Sequence, residues 1–269
     1  MNNLPYFAAV ITAAGSSERF NRNRDLKVKK EYLQIDGHTV LYRATEPFFE
    51  IPGLACVCVT CPEGSEDETI IALEDLINVN TIPFMIVPGG KTRKESVSKA
   101  LERIANVAPE VEYVAIHDGA RPYVKPELII NTLATASIVG GAAPAIRITD
   151  SVKKLGKDGF IHESVDRSEL IRVQTPQIFR FNEILDAHRT VDNDAATDDI
   201  ELYIAKGHKC TVVQGTEENK KITYFSDIPD AEKQAEEYLA ALEEGRKSAS
   251  ANRRMRELMY GFDRKSEEN

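Results

Sequence analysis

Residues 7–20 read FAAVITAAGSSERF. The apolar run Phe7–Ala13 has almost none of the alternation that marks a strand with one wet face, so it predicts a strand buried on both sides. It stops at Gly15-Ser16-Ser17, where small side chains let backbone N–H groups come close to a ligand. Arg19 follows at once, and Lys27, Lys29 and Lys30 come soon after. Backbone amides backed by cations suit phosphate oxygens. A plain turn after a strand, with solvated basic residues, fits the same local pattern. Two glycine-rich fingerprints do not apply. A GxGxxG motif needs glycine where Ser17 and Phe20 stand, and a P-loop ending in Gly90-Lys91-Thr92 needs one where Met85 stands.

Working outward, short apolar runs recur at 55–60, 84–88, 112–117, 141–147, 210–214 and 221–224. Amphipathic helical patterns lie between and after them, at 39–49, 66–77, 92–106, 126–138, 182–189, 198–206 and 227–244. Alternation of this kind predicts an α/β fold, a doubly wound and mostly parallel sheet, in one domain spanning 1–244. One region breaks the rhythm. Residues 148–172 form two polar, β-rich runs about the turn Gly156-Lys157-Asp158-Gly159, a hairpin too polar for a core. It is a solvated flap or an arm reaching a second subunit. The charged tail 245–269 is a weak helix or a disordered end, with no chemistry assigned.

Composition narrows the function. With 34 Lys and Arg against 43 Asp and Glu, the net charge is −9, which argues against nucleic-acid or anionic-membrane binding. No apolar run approaches the roughly 20 residues of a membrane span, and MNNLPYF lacks the charged start of a secretory signal. A cytoplasmic location is therefore expected. Cys58 and Cys61 make a CxxC, but no second pair and no histidine pair accompanies them. Together with Cys56 and the solitary Cys210 they read as small buried hydrophobes.

Ligands of open parallel sheets bind at the carboxyl ends of the strands. Besides Ala13-Ala14-Gly15, a second such end is YVAIHDGARPYV, where Asp118 arrives as the apolar run stops. An aspartate there can hold Mg²⁺ beside phosphates, or cap the turn before Pro122. His117 is a weaker candidate and fits a packed core residue. In VVQGTEENKKITYF, Lys220 and Lys221 open an expected strand, so only one can face the site. That lysine adds a cation to the site, or the pair simply guards an edge strand.

With AAGSSERF, KKEYL, GGKTRKESV, HDGARP, DSVKK, VDR, QTPQIF, ATDDIEL and NKKIT standing in order, the chain from residue 7 to about 242 resembles the 2-C-methyl-D-erythritol 4-phosphate cytidylyltransferases of non-mevalonate isoprenoid synthesis. The resemblance implies a Rossmann-like nucleotidyltransferase sandwich. It also implies transfer of CMP from CTP to a sugar-alcohol phosphate, with Mg²⁺ or another divalent cation. Arg19, Lys30 and Lys221 then match catalytic cations. Ala13, Ala14, Gly15, Gly90, Ser96, Asp118 and Arg121 match nucleotide-side positions. Asp118, Ser151, Arg167, Thr175 and Lys221 match acceptor-side positions, and Asp118 stands near the metal. The family's hairpin crosses to its partner, so a homodimer is implied in which Ser151 and Arg167 complete the neighbouring site.

The sequence departs from the family pattern in places. The loop from Arg19 to Lys30 is longer than usual, which makes Lys27 and Lys29 rivals of Lys30. Glu31 stands where glutamine is common, Ser17 where glycine is frequent, and Ser151 where threonine is usual. Two other functions are weighed. A ribitol 5-phosphate cytidylyltransferase shares the CTP half and differs on the acceptor side. A degenerate nucleotide-binding or interaction protein would lack some of Arg19, Lys30, Asp118, Arg167 and Lys221, all of which are present.

Overall fold

The computed structural model describes residues 4–25 and 27–244; the tail 245–269 lies outside the described residues. The elements in chain order are β1 (Phe7–Thr12), β2 (Gln34–Ile35), β3 (His38–Thr39), α1 (Val40–Phe49) and β4 (Leu54–Cys61). Next come α2 (Glu66–Ala72), α3 (Glu74–Val79), β5 (Phe84–Pro88), α4 (Arg93–Val107) and β6 (Tyr113–Asp118). They are followed by α5 (Pro126–Val139), β7 (Gly141–Arg147), β8 (Val152–Leu155), β9 (Ile161–Val165), β10 (Ile171–Val173) and β11 (Gln177–Arg180). The series ends with α6 (Phe181–Thr190), α7 (Asp199–Ala205), β12 (Cys210–Gln214) and an unlabelled helix at 231–244.

An eight-stranded sheet carries the fold. Strands β5, β4, β1 and β6 run parallel, with Thr12 level with Thr60 and Asp118, so their carboxyl ends share one edge. β11 enters antiparallel between β6 and β7. β10 continues the same antiparallel ladder along β7 through the Gln174 N–H to the Pro144 carbonyl (2.7 Å). β12 then adds parallel to β7. Apolar residues on alternate faces of β1 fall into separate cores: Phe7, Ala9 and Ile11 pack with α1 and α5, whereas Ala8 and Val10 pack with α4 and α6. Burial on both faces is what the unbroken apolar run requires, and each fully buried Val, Ile or Phe contributes about 1.5–3 kcal/mol.

Four expectations need correction. Residues 66–77 are not one helix, because Leu73 breaks the run (φ −122°, ψ 7°) and is itself fully buried beneath it. The helix expected at 227–244 starts at 231. A 3-10 turn at Phe225–Asp227, Pro229 and a left-handed Asp230 precede it, as the bias against helix before proline requires. Residues 221–224 form no strand, since Ile222 only donates its N–H to the Ala120 carbonyl (2.8 Å). β11 falls where no strand was expected. The polar hairpin is present as a separate two-stranded sheet, β8 with β9, and Gly159 takes the positive φ (83°) that its turn needs.

Candidate active site

The shared carboxyl edge opens into a cavity of about 1010 Å³. Three segments wall it. The first runs from Thr12 through Gly15 to Asn21 and returns at Lys27–Glu31; the second is Gly90–Arg93 with Ser96; the third joins Asp118 and Ala120 to Lys221 and Thr223.

Backbone and small side chains shape the first two walls. A Cβ on Gly89 would meet Ala14 Cβ at 2.4 Å and Ser96 Oγ at 2.8 Å, so only glycine lets the segment after β5 lie against the segment after β1. A Cβ on Gly15 would meet no protein atom within 4 Å; it would take space from the cavity instead. Thr92 caps α4 by accepting from the Glu95 N–H (3.1 Å). Ser96 accepts from the Gly90 N–H (2.9 Å) and donates to the Thr92 carbonyl (2.9 Å), which folds the turn onto the helix start. Ser17 occupies the left-handed region (φ 55°) that a glycine would adopt without strain, and its hydroxyl donates to Glu31 (3.3 Å).

Charge concentrates on the third wall. Asp118 Oδ2 lies 2.8 Å from Lys221 Nζ and 3.2 Å from Arg121 Nε. Burial alone would push this carboxyl up, but Lys221, Arg121 and Arg93 outweigh it and hold the group below the usual carboxylate range. Buried Lys30 donates to the Ile222 carbonyl (2.6 Å), beside Lys221. Burial lowers its affinity for the proton, with Glu31 pulling the other way. Lys29 donates to the Gly15 carbonyl and pairs with Glu31 (3.3 Å), while Lys27 and Arg19 are exposed and line the cavity. Of the rival lysines, Lys30 is thus the buried one nearest the Asp118–Lys221 pair, and Lys29 braces the turn.

Other expected residues stand elsewhere. Ala13 is buried, its N–H already given to the Thr60 carbonyl (3.0 Å). Arg121 spans from Asp118 to the Asn219 carbonyl (2.7 Å). Thr175 is buried, accepting from the Asp118 N–H (3.0 Å) and donating to His117 Nδ1 (3.0 Å). These three lie behind the wall and not on it. His117 is fully buried, donates from Nε2 to the Arg121 carbonyl (3.2 Å), and burial pulls its pKa down to about 4. Ser151 and Arg167 are exposed at the base of the hairpin, Arg167 donating to the Thr149 carbonyl, and neither lines the cavity of its own chain.

Arg93 was missed by sequence reasoning. It lines the cavity and pairs with fully buried Asp199 (2.7 Å), whose other oxygen accepts from His188 Nε2 (3.1 Å); Ser98 in turn donates to His188 Nδ1 (2.9 Å). Burial pushes the Asp199 carboxyl up, yet Arg93 and His188 hold it at about 2. Arg93 and Asp199 both occur in the quoted motifs GGKTRKESV and ATDDIEL, but nothing in either string reveals that they meet.

The thiols of Cys56 and Cys58 are buried within β4, and burial pushes them up to about 11 and about 12, so they carry no charge at neutral pH. Among the described residues, no group of three His, Cys, Asp or Glu side chains is arranged to hold a metal, and no helix is long and apolar enough to cross a membrane.

The family model described as IspD, 2-C-methyl-D-erythritol 4-phosphate cytidylyltransferase, matches residues 7–237. A protein of that name from Clostridium novyi is 32% identical over 228 residues, covering 83% of this chain and 94% of the relative. The bifunctional enzyme IspD/IspF of Rhodospirillum rubrum is 37% identical over 84% of this chain but only 56% of its own length, so the chain spans about half of that protein. The crystal structure of 4-diphosphocytidyl-2C-methyl-D-erythritol synthase from Anaerococcus prevotii superposes with a TM-score of 0.69 at 25% identity, covering 88% of this chain and 96% of that one. With its cavity at the sheet's carboxyl edge and a match spanning nearly the whole described chain, the protein belongs to the 2-C-methyl-D-erythritol 4-phosphate cytidylyltransferase family.

Proposed function

We propose that this protein transfers the cytidylyl group of CTP to 2-C-methyl-D-erythritol 4-phosphate, releasing pyrophosphate, and that it does so in the cytoplasm as a homodimer. The observation that carries the reading is the meeting of Lys30, from the first wall, with Lys221 and Asp118 on the third, at a cavity also lined by the backbone turns after β1 and β5. An oxygen of the acceptor phosphate attacks the α-phosphorus in line, and the bond from that phosphorus to the bridging oxygen of the β-phosphate breaks. A phosphate monoester is largely ionised at neutral pH, so the attack needs no general base. The protein's contribution is positioning and charge stabilisation.

In this reading Arg19 and Lys30 stabilise charge on the α-phosphate and on the departing pyrophosphate. Lys221 leaves Asp118 to meet the acceptor phosphate. Ala14 and Gly15 cradle the triphosphate over Ala13, while Gly90 and Ser96 shape the wall against the base. Arg121 and Thr175 hold Asp118 from behind. A Mg²⁺ ion, or another divalent cation, neutralises phosphate oxygens when bound. Of the lining carboxylates, Glu31 is paired with Lys29 and Glu18 lies on the exposed turn, so Asp118 would be the protein group nearest an ion carried largely by substrate phosphates and water, as Mg²⁺ commonly is.

The homodimer rests on the hairpin. The hairpin exposes Leu155 and Ile161 at its strand ends and Phe160 (71% exposed) in the turn between them, apolar surface that a partner would cover. Ser151 and Arg167 lie at its base without a cavity of their own. The deciding experiment compares pyrophosphate release from CTP with 2-C-methyl-D-erythritol 4-phosphate and with ribitol 5-phosphate. Turnover with the first supports the reading, and turnover with ribitol 5-phosphate alone overturns it.

A further inference from the structure

We infer that Asn21 is a positioning residue, a three-bond clamp that sets the lysine run against the CTP phosphates; this rests on the cavity being the CTP site. Its side-chain amide donates from Nδ2 to the Val28 carbonyl (2.9 Å) and to the Ser17 carbonyl (3.2 Å), while Oδ1 accepts from the Val28 N–H (3.1 Å). Its backbone N–H also donates to the Ser17 carbonyl (3.0 Å). One residue thus ties the end of the glycine turn to the start of the lysine run.

The chemistry is specific to an amide. Gripping both the N–H and the C=O of Val28 requires an acceptor and a donor on one short side chain, which imitates a strand partner and fixes that peptide segment. Val28 is nearly fully buried between Lys27 and Lys29, so fixing its backbone fixes the departure of both neighbours and of Lys30 beyond. Ser17, at the other end, is the left-handed residue whose hydroxyl reaches Glu31. The preceding Phe20 is buried and packs in a tilted ring contact with Phe225 (centroids 4.9 Å apart), so the clamp stands on packed ground. A longer loop raises the entropy of placing its lysines, and a side-chain tie across it offsets that cost before CTP arrives.

The test is steady-state kinetics and thermal melting of Asn21→Ala and Asn21→Gln beside the unaltered full-length protein. Asn21→Ala should raise the KM for CTP about tenfold, equivalent to roughly 1.4 kcal/mol, and leave the KM for the acceptor phosphate within about twofold. Asn21→Gln keeps the amide on a longer stem and should fall between the two. The rise in melting temperature on adding CTP should shrink in the same order. If Asn21→Ala fails to fold, the same split in Asn21→Gln decides. An unchanged KM for CTP, or equal rises for both substrates, would overturn the clamp. Absence of CTP turnover by the unaltered protein would instead overturn the cytidylyltransferase reading.

Discussion

Asp118 and Lys154 are both in ion pairs, and the pairs could hardly differ more. Asp118 sits nearly buried between Lys221 and Arg121, at the end of a central strand and braced from behind by Thr175. Lys154 pairs with Glu163 across the hairpin at 2.6 Å with both side chains more than half exposed. Removing one partner of a buried pair leaves an unpaid charge, costing about 3–5 kcal/mol, whereas an exposed pair contributes about 0–1 kcal/mol. The cavity edge therefore holds its geometry within one chain. The hairpin is held mainly by its own two-stranded ladder and by exposed pairs, and in the proposed homodimer its exposed apolar residues and Arg167 would face a second copy.

The sharpest way to break this contrast is Lys30→Ala. Turnover should fall about 10²–10³-fold, the scale of losing one charge-stabilising donor, with a melting temperature close to that of the parent. Near-normal turnover would transfer the role to Lys27, which lines the same cavity, or to Lys29.

Acid should weaken the cavity edge more than the hairpin, whose hydrogen-bonded carboxylates Asp158 and Asp166 are exposed. Buried His117 takes up its proton only near pH 4, whereas an unfolded histidine does so near 6.5. The unfolded chain therefore binds more protons in that window. The stability contributed by neutral His117 is full above about 6.5 and is lost as pH falls towards 4, by roughly 3 kcal/mol. Asp199, held at about 2, adds a further loss in the same direction at still lower pH. Denaturant unfolding measured from pH 7 to pH 4 checks this, and His117→Gln should flatten the slope.

Arg167→Ala should leave stability unaltered and impair acceptor use, raising the acceptor KM about tenfold or more while the KM for CTP stays near the parent value. An equal rise for CTP would contradict the division of labour between the two regions. Lys154→Ala marks the small end of the scale. It should change unfolding free energy by no more than about 0.5 kcal/mol, and a larger loss would show that the hairpin is more tightly held within its own chain.

What the sequence made legible follows the same division. FAAVITAAG and YVAIHDG could be placed because strands buried on both faces are continuously apolar and their carboxyl ends face ligands. The polar hairpin at 148–172 was legible because it broke that rule, though its last residues belong to β10 of the main sheet. QIFR was not, since four residues beside a proline carry too little pattern to mark an antiparallel strand between two parallel ones. KITY, residues 221–224, alternates like a strand, but Ile222 finds only one ladder bond there. The Arg93–Asp199 pair joins two side chains far apart in sequence and the Asn21 clamp joins a side chain to irregular backbone, and periodicity carries no trace of either.

The claim that the site is split between the cavity edge of one subunit and the hairpin of the other is tested most directly by mixing. Lys30→Ala protein has an intact hairpin and Arg167→Ala protein an intact cavity edge, so a mixed dimer contains one whole site. After subunit exchange to equilibrium, half the dimers are mixed, and activity should recover to roughly a quarter of the parent value. No recovery in a sample verified to contain mixed dimers would contradict the account, and each site would then belong to a single chain.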